Sequence, residues 1–206
     1  MKTILQVNSS LNSGRGVSSR LASELAAELR AAHPRAALIV RDLARDPVPH
    51  LDAERFGALV AKPGARNPAQ QAVVRESDAL IDELRRADAI VLGLPMYNFG
   101  VPSQLKSWFD HVARAGVAFK YTEIGALGLL TGKKAYVVAA RGGKYAGTPA
   151  DTQTPYVRDF LAFLGISDVE FVYAEGLAIS DASRSQALAA AQGLIRRLAA
   201  REKMAA

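Results

Sequence analysis

The sequence predicts an open, doubly wound α/β domain, with a five-stranded parallel sheet and helices on both faces. Five apolar runs of strand length recur along the chain, at Thr3–Val7, Ala37–Val40, Ala89–Leu94, Ala135–Ala140 and Val169–Ala174. Several are continuous and do not alternate, as strands buried on both faces require. Helical patterns separate them, and strand–helix alternation of this kind gives a parallel sheet covered on both sides.

Taken in order, Thr3–Val7 leads into Ser18–Ala32, rich in Ala, Leu, Glu and Arg and ending before Pro34. Ala37–Val40 is followed by Ala69–Arg86, with Val73, Leu80, Ile81 and Leu84 on one side. Ala89–Leu94 precedes Ser103–Arg114, where Leu105, Trp108, Phe109 and Val112 make an i, i+3, i+4, i+7 face. Ala135–Ala140 with Pro155–Leu164, and Val169–Ala174 with Ser183–Ala200, complete the series. Five strands suit the order 2-1-3-4-5, whose switch point lies between the first and third strands. No linker or internal repeat interrupts the chain, so residues 1–206 are read as one domain. Two connections are longer than packing needs: Arg45–Pro68, with four prolines, and Ala115–Lys134, with four glycines. Such segments are either binding loops and partner contacts or tolerated surface excursions.

Half the residues are hydrophobic, which argues against disorder. No apolar run reaches the roughly 18 residues of a membrane span. The amino terminus enters a strand pattern directly, without a signal-peptide core. There are no cysteines, so disulfides, thiolate metal sites and cysteine catalysis are excluded. Together these features point to the cytoplasm and away from membranes. The formal charge is +6, but Lys and Arg are scattered. That describes a solvated basic surface with a bias towards anionic small molecules, not a nucleic-acid site.

Three loops at carboxyl ends of strands carry ligand-type residues. The first, Asn8–Ser19, has Ser9, Ser10, Ser13 and Ser18 beside Gly14 and Gly16, and runs into a helix start at Val17–Ser18. Free N–H groups and the positive end of the helix dipole suit a phosphate there. The alternative is a Gly/Ser turn with a serine N-cap; the position at the switch point favours the phosphate. Two glycines of G-x-G-x-x-G are present without the third, which weakens a Rossmann dehydrogenase reading. A hydroxyl-rich loop is better suited to a phosphate monoester such as that of FMN. The second loop, Met96-Tyr97-Asn98-Phe99, could sandwich a flat ring or simply cover the core. The third, Ala139–Tyr145, bares its backbone at Gly142 and Gly143. The order 2-1-3-4-5 sets the three parent strands side by side, so the loops would share one crevice.

Acid–base machinery is missing. His33, His50 and His111 stand alone without metal spacing, and His33 and His111 are expected on helix surfaces. There is no Gly-x-Ser-x-Gly elbow. A chain of this kind leaves its chemistry to a cofactor.

The chain resembles the FMN-dependent NADH-azoreductases of the flavodoxin-like quinone and azo reductase group. The matching segments are Pro95-Met-Tyr-Asn-Phe99, Gln104-Leu-Lys106, Phe109–Val117, Phe119–Glu123, Gly128–Lys134, Arg141-Gly-Gly143, Thr154-Pro-Tyr156, Phe163–Ile166 and Ala174-Glu-Gly176, in order over nearly the whole chain. The resemblance implies a flavodoxin-like three-layer fold and a homodimer with FMN held non-covalently near the interface. It implies that Ser10, Gly16, Val17 and Ser18 hold the phosphate. Met96, Tyr97, Asn98, Phe99, Ala140, Arg141, Gly142 and Gly143 would line the flavin ring. Tyr121 and Phe163 would border the substrate space, from the partner subunit. Tyr145 would also meet substrate, and stands where relatives often have His. Val60 replaces an Arg of some relatives, and Gly16 a common serine; these departures bear on dye and nicotinamide preference.

The implied reaction is ping-pong. NADH or NADPH reduces the flavin and leaves, and a quinone or azo compound takes its place. The flavin carries the chemistry, so no catalytic side chain is assigned. The competing reading is a flavodoxin-type electron carrier or a nucleotide-sensing regulator. Such carriers are usually acidic with an exposed flavin edge, whereas this chain is basic with long covering loops. An obligate dimer is further suggested by the face Leu105, Trp108, Phe109 and Val112 and by Ala115–Lys134, although that face could instead pack on its own sheet.

Overall fold

The central sheet of the computed structural model, which describes residues 1–204, is built from five parallel strands. The elements run β1 (Thr3–Asn8), α1 (Val17–Ala32), β2 (Ala37–Asp42), α2 (Ala53–Val60), α3 (Pro68–Arg86), β3 (Ala89–Pro95), α4 (Ser103–Val112), β4 (Phe119–Thr122), β5 (Gly125–Gly128), β6 (Lys134–Ala140), α5 (Gln153–Phe163), β7 (Asp168–Ala174) and α6 (Asp181–Met204). The sheet order is β2-β1-β3-β6-β7, which is 2-1-3-4-5 counted over the five expected strands. β4 and β5 form a separate antiparallel pair.

Alternation along the strands distributes two cores. Leu5, Val7, Ile90 and Leu92 pack under α3, α4 and α5 with Ile81, Trp108, Phe109 and Leu161. Ile4, Val91, Tyr136 and Val138 face the other way, against Leu21, Leu25, Ile195 and Leu198 of α1 and α6. The helix boundaries follow local chemistry. α3 starts at Pro68, behind a reciprocal capping box between Asn67 and Gln70. A cap of this kind stabilises a helix by about 1 kcal/mol. Among the described residues, no helix is long and apolar enough to cross a membrane.

Both long connections contain structure that periodicity did not indicate. Arg45–Pro68 holds α2, capped by Asp52 through Arg55 N at 2.8 Å and packed on α3. Ala115–Lys134 holds the β4–β5 hairpin. The α4 face also needs correction as a dimer surface. Leu105, Trp108, Phe109 and Val112 are all buried in the chain's own core. His111 is not a surface residue either. It is fully buried, with Nδ1 2.8 Å from Ser107 O and Nε2 accepting from Arg55 Nε at 3.1 Å. Arg55 also pairs with Glu76 of α3, so this contact ties α2 to both α3 and α4. His33 caps the end of α1, its amide donating to Leu29 O and Arg30 O.

Candidate functional site

At the carboxyl end of β1 the chain passes through one 3-10 turn, Ser13–Arg15, and enters α1 at Val17. Gly16 is the N-cap, and no side chain caps this helix. The first amides of α1 therefore keep their hydrogens for an outside acceptor, at the positive end of the helix dipole. Ser18 Oγ lies buried beside them without a hydrogen-bond partner. Ser10 Oγ accepts from Asn12 N at 3.2 Å and sits 3.4 Å from the Tyr97 hydroxyl, which itself accepts from Leu11 N at 3.2 Å. Tyr97 thus fastens the loop after β3 onto the loop after β1. A Cβ at Gly16 would lie 2.2 Å from Ser10 Oγ. Glycine here lets Ser10 rest over the helix start; a serine would force it to turn away.

The loop after β3 closes as a two-residue hairpin. Tyr97 and Gly100 exchange both backbone hydrogen bonds, at 3.2 and 2.9 Å. The central residues, Asn98 and Phe99, have φ of 49° and 62°, as a type I′ turn requires. Asn tolerates this region, but Phe does not, and the strain costs on the order of 1–3 kcal/mol. Glycine is the residue this turn favours. Phe99 is retained in spite of the strain, with its ring 55% exposed and edge-on to Tyr145 at 5.6 Å between centroids.

The loop after β6 supplies the facing wall. Met96, Asn98, Phe99, Gly142, Gly143 and Tyr145 line a cleft of about 270 Å³. A Cβ on Gly143 would come within 2.7 Å of the Tyr145 ring, so glycine alone allows that ring to lie over the loop. The carbonyls of Gly142 and Gly143 are tied to Ala178 N and Gly176 N at 3.0 and 2.8 Å. Among the described residues, the N–H groups of Asn98, Phe99, Gly142 and Gly143 have no protein partner. Two loops therefore offer unused donors at one cleft. A second cleft of about 480 Å³ adjoins Phe99 and is lined by His50, Lys106 and Tyr156.

Arg141 occupies a different place from the one expected. Its side chain has no exposure and no share in the cleft. The guanidinium is held by Asp151 at 2.9 Å, Glu175 at 3.0 Å, Gln153 Oε1 at 3.2 Å and Thr154 Oγ1 at 3.2 Å. Its backbone is bonded as well, to Ala174 O and Leu177 N. Arg141 thus braces the loop from behind, and its guanidinium does not line the cleft. Glu175 extends the brace by accepting from Tyr145 N and Ala146 N, both at 3.0 Å. Burial alone would raise the Asp151 carboxyl, yet the bonds from Arg141 and Thr154 hold it below its ordinary value. Ala140 is buried at the strand end, where its carbonyl accepts from Met96 N at 3.2 Å. Val17 lies at the first turn of α1, partly buried against the α1–α6 core.

Tyr121 and Phe163 are not brought to the cleft within one chain. Both pack on Phe119, with centroids 5.4 and 4.3 Å away. α5 begins beside the cleft and Phe163 is its eleventh and last residue, about 15 Å along a helix from the first. Tyr121 is 75% exposed on β4, and Ile124, Leu127 and Leu129 of the same hairpin segment are exposed as well. Val60 ends α2 with its side chain in solvent.

Sequence reasoning missed Asp151, Thr152 and Gln153, and gave Glu175 no role beyond its place in a matching segment. The family-like segment Thr154-Pro-Tyr156 begins one residue beyond Gln153. A polar side chain at the first position of a helix that faces a glycine loop was the available signal.

These features fit FMN. The uncapped helix and the orphaned Ser18 hydroxyl suit a terminal phosphate, and the free amides around Phe99 and Gly143 suit the polar edge of a ring. A family model for the flavodoxin-like fold matches residues 2–198. The chain is 54% identical over 195 residues to the FMN-dependent NADH:quinone oxidoreductase 6 of Burkholderia lata, covering 95% of this chain and 98% of that one. The FMN-dependent NADH:quinone oxidoreductase of Alcanivorax borkumensis is 55% identical over 189 residues, covering 92% and 96%. A crystal structure of an FMN-dependent NADH-azoreductase from Bacillus anthracis in complex with FMN superposes with a TM-score of 0.88 at 26% identity, over 98% of this chain and 99% of that one.

Proposed function

This chain belongs to the family of flavodoxin-like, FMN-dependent NADH:quinone oxidoreductases and azoreductases, and on that premise we propose that it reduces quinones and azo compounds by ping-pong exchange at one flat slot. NADH or NADPH is the donor, and FMN supplies the hydride chemistry when bound. Ser10, Ser18 and the first amides of α1 would hold the phosphate. Met96, Phe99 and the Gly142–Gly143 backbone would flank the ring. The free amides of these loops would stabilise negative charge developing at its polar edge, which is what preorganised donors do in a water-poor site. Phe99 and Tyr145 would orient the nicotinamide and then the acceptor, since stacking depends more on ring shape than on substituents.

A quinone takes one hydride and one proton to give a hydroquinone. An azo bond takes two hydrides and two protons, in two turnovers, to give two amines. The supporting observation is the set of unpartnered donors on an uncapped helix and two braced loops, at the carboxyl ends of three adjacent strands. We further propose a homodimer in the cytoplasm, in which Tyr121 and Phe163 complete the partner's slot. Neither reaches its own, and the β4–β5 hairpin carries exposed apolar side chains.

The purified protein should be yellow and release FMN on denaturation. With NADH and a quinone it should give parallel double-reciprocal lines. Protein that takes up no FMN would overturn the cofactor assignment, and intersecting lines the single slot.

A further inference from the structure

We infer that Gln153 is a positioning residue, which together with Thr152 clamps the Asn98–Phe99 turn in its left-handed form and so sets the flavin-facing wall; the functional part of this rests on the reading above. Gln153 is buried. Its Nε2 donates to Pro95 O and to Gly100 O, each at 2.9 Å. These two carbonyls stand at either end of the turn, so one amide group staples the loop across its base. Its Oε1 accepts from Arg141 Nε at 3.2 Å. That contact fixes the orientation of the amide: reversed, a carbonyl oxygen would meet two carbonyls and an NH₂ would meet an N–H. Thr152 Oγ1 donates to Phe99 O. Three carbonyls of one short loop are thus held by two adjacent residues at the start of α5.

The clamp accounts for two facts together. A phenylalanine persists at a φ of 62°, which needs surroundings that over-determine it. The Asn98 and Phe99 amides remain the unpartnered groups, because the loop's carbonyls are engaged behind it. Gln153 also joins the two walls, since the Arg141 that orients it is the same side chain that, through Glu175, holds Tyr145 and Ala146. A shift in either loop is therefore transmitted to the other through buried, directional bonds.

The test compares Gln153→Met, which keeps bulk and loses every hydrogen bond, with Thr152→Ala at an exposed position that should leave the fold intact. In the full chain without cofactor, hydrogen exchange at the Tyr97 and Gly100 amides should quicken about tenfold in Gln153→Met, the effect of losing about one net hydrogen bond. Thr152→Ala should quicken it by a smaller factor. FMN and riboflavin affinities should fall by the same factor, because the clamp acts on the ring and not on the phosphate. Phe99→Gly removes the strain, so adding Gln153→Met to it should cost FMN affinity only about twofold, where it costs about tenfold in the parent. Unchanged exchange in both variants would overturn the clamp, as would an equal affinity loss with and without Phe99→Gly. If the parent protein failed to bind FMN, the flavin reading would fall, while the exchange comparison would still decide whether the clamp exists.

Discussion

Ser18 brings together burial, an unused hydroxyl and a helix start. Its Oγ makes no protein hydrogen bond, so Ser18→Ala should leave thermal stability unchanged while weakening FMN binding by roughly the 1 kcal/mol of one hydrogen bond. Ser18→Asp sets a carboxylate against a phosphate and should weaken FMN at least about tenfold, the scale of like charges a few ångströms apart. Riboflavin, which lacks the phosphate, should lose far less. Equal losses for the two ligands in a fluorescence titration would remove the phosphate from this loop. At this scale the sequence was a good guide to which residues gather and a poor one to what each side chain does. The glycines and serines were legible because their loops follow adjacent strands. Arg141 was not, because a guanidinium after a strand can point to the ligand or behind it. The acids that turn it inward, Asp151 and Glu175, are 10 and 34 residues away. His111 was misread because one polar residue on an amphipathic helix is usually solvated; its partner Arg55 comes from a helix that periodicity did not reveal.

Among the elements, the segment leading into α5 holds the site together. Asp151 accepts from Arg141, from Thr154 N at 3.0 Å and from Thr154 Oγ1 at 2.6 Å. These bonds depress its folded-state pKa below the ordinary 3.8. A depressed carboxylate adds stability that is present above its unfolded pKa and is lost as pH falls through the folded one. Asp151→Asn should therefore be less stable than the parent at neutral pH. The gap between their melting temperatures should close on acidification below about pH 4, and a gap constant down to pH 2 would show that the charge contributes nothing. The missed elements share a physical cause. α2 has only eight residues, and prolines on both sides gave its stretch the appearance of a loop. Its readable signal was Asp52 as an N-cap. The β4–β5 strands have four residues each, and alternation of Phe119 and Tyr121 is too short a pattern to stand out among glycines. The inner strands β1, β3 and β6 had no such difficulty, since burial on both faces makes them nearly continuous apolar runs.

For the whole molecule, the topology explains both what one chain completes and what it leaves open. The order β2-β1-β3-β6-β7 sets the ends of β1, β3 and β6 side by side. Every proposed FMN contact then comes from one subunit. The aromatics proposed to border the substrate do not follow, because α5 carries Phe163 away from the cleft and β4 carries Tyr121 into solvent. The α4 face, an i, i+3, i+4, i+7 apolar stripe in the sequence, is spent on the internal core. The surface left for a second copy includes the hairpin, with Ile124 wholly exposed in its turn and Tyr121 and Leu127 exposed on its two strands. Burying a side chain of that size contributes about 1.5–3 kcal/mol, so a charge there should weigh heavily on association. The parent should sediment as a dimer at micromolar concentration, and Ile124→Glu should shift it towards monomer. That monomer should keep its FMN, since phosphate loop, turn and glycine wall are internal to the chain. Its quinone turnover should fall at least about tenfold, with the loss concentrated in the acceptor half-reaction; truncating interface anchors typically costs 2 kcal/mol or more. A monomer with full quinone turnover would show that Tyr121 and Phe163 serve no partner's slot, and that the single-chain cleft around Phe99 and Tyr145 is sufficient.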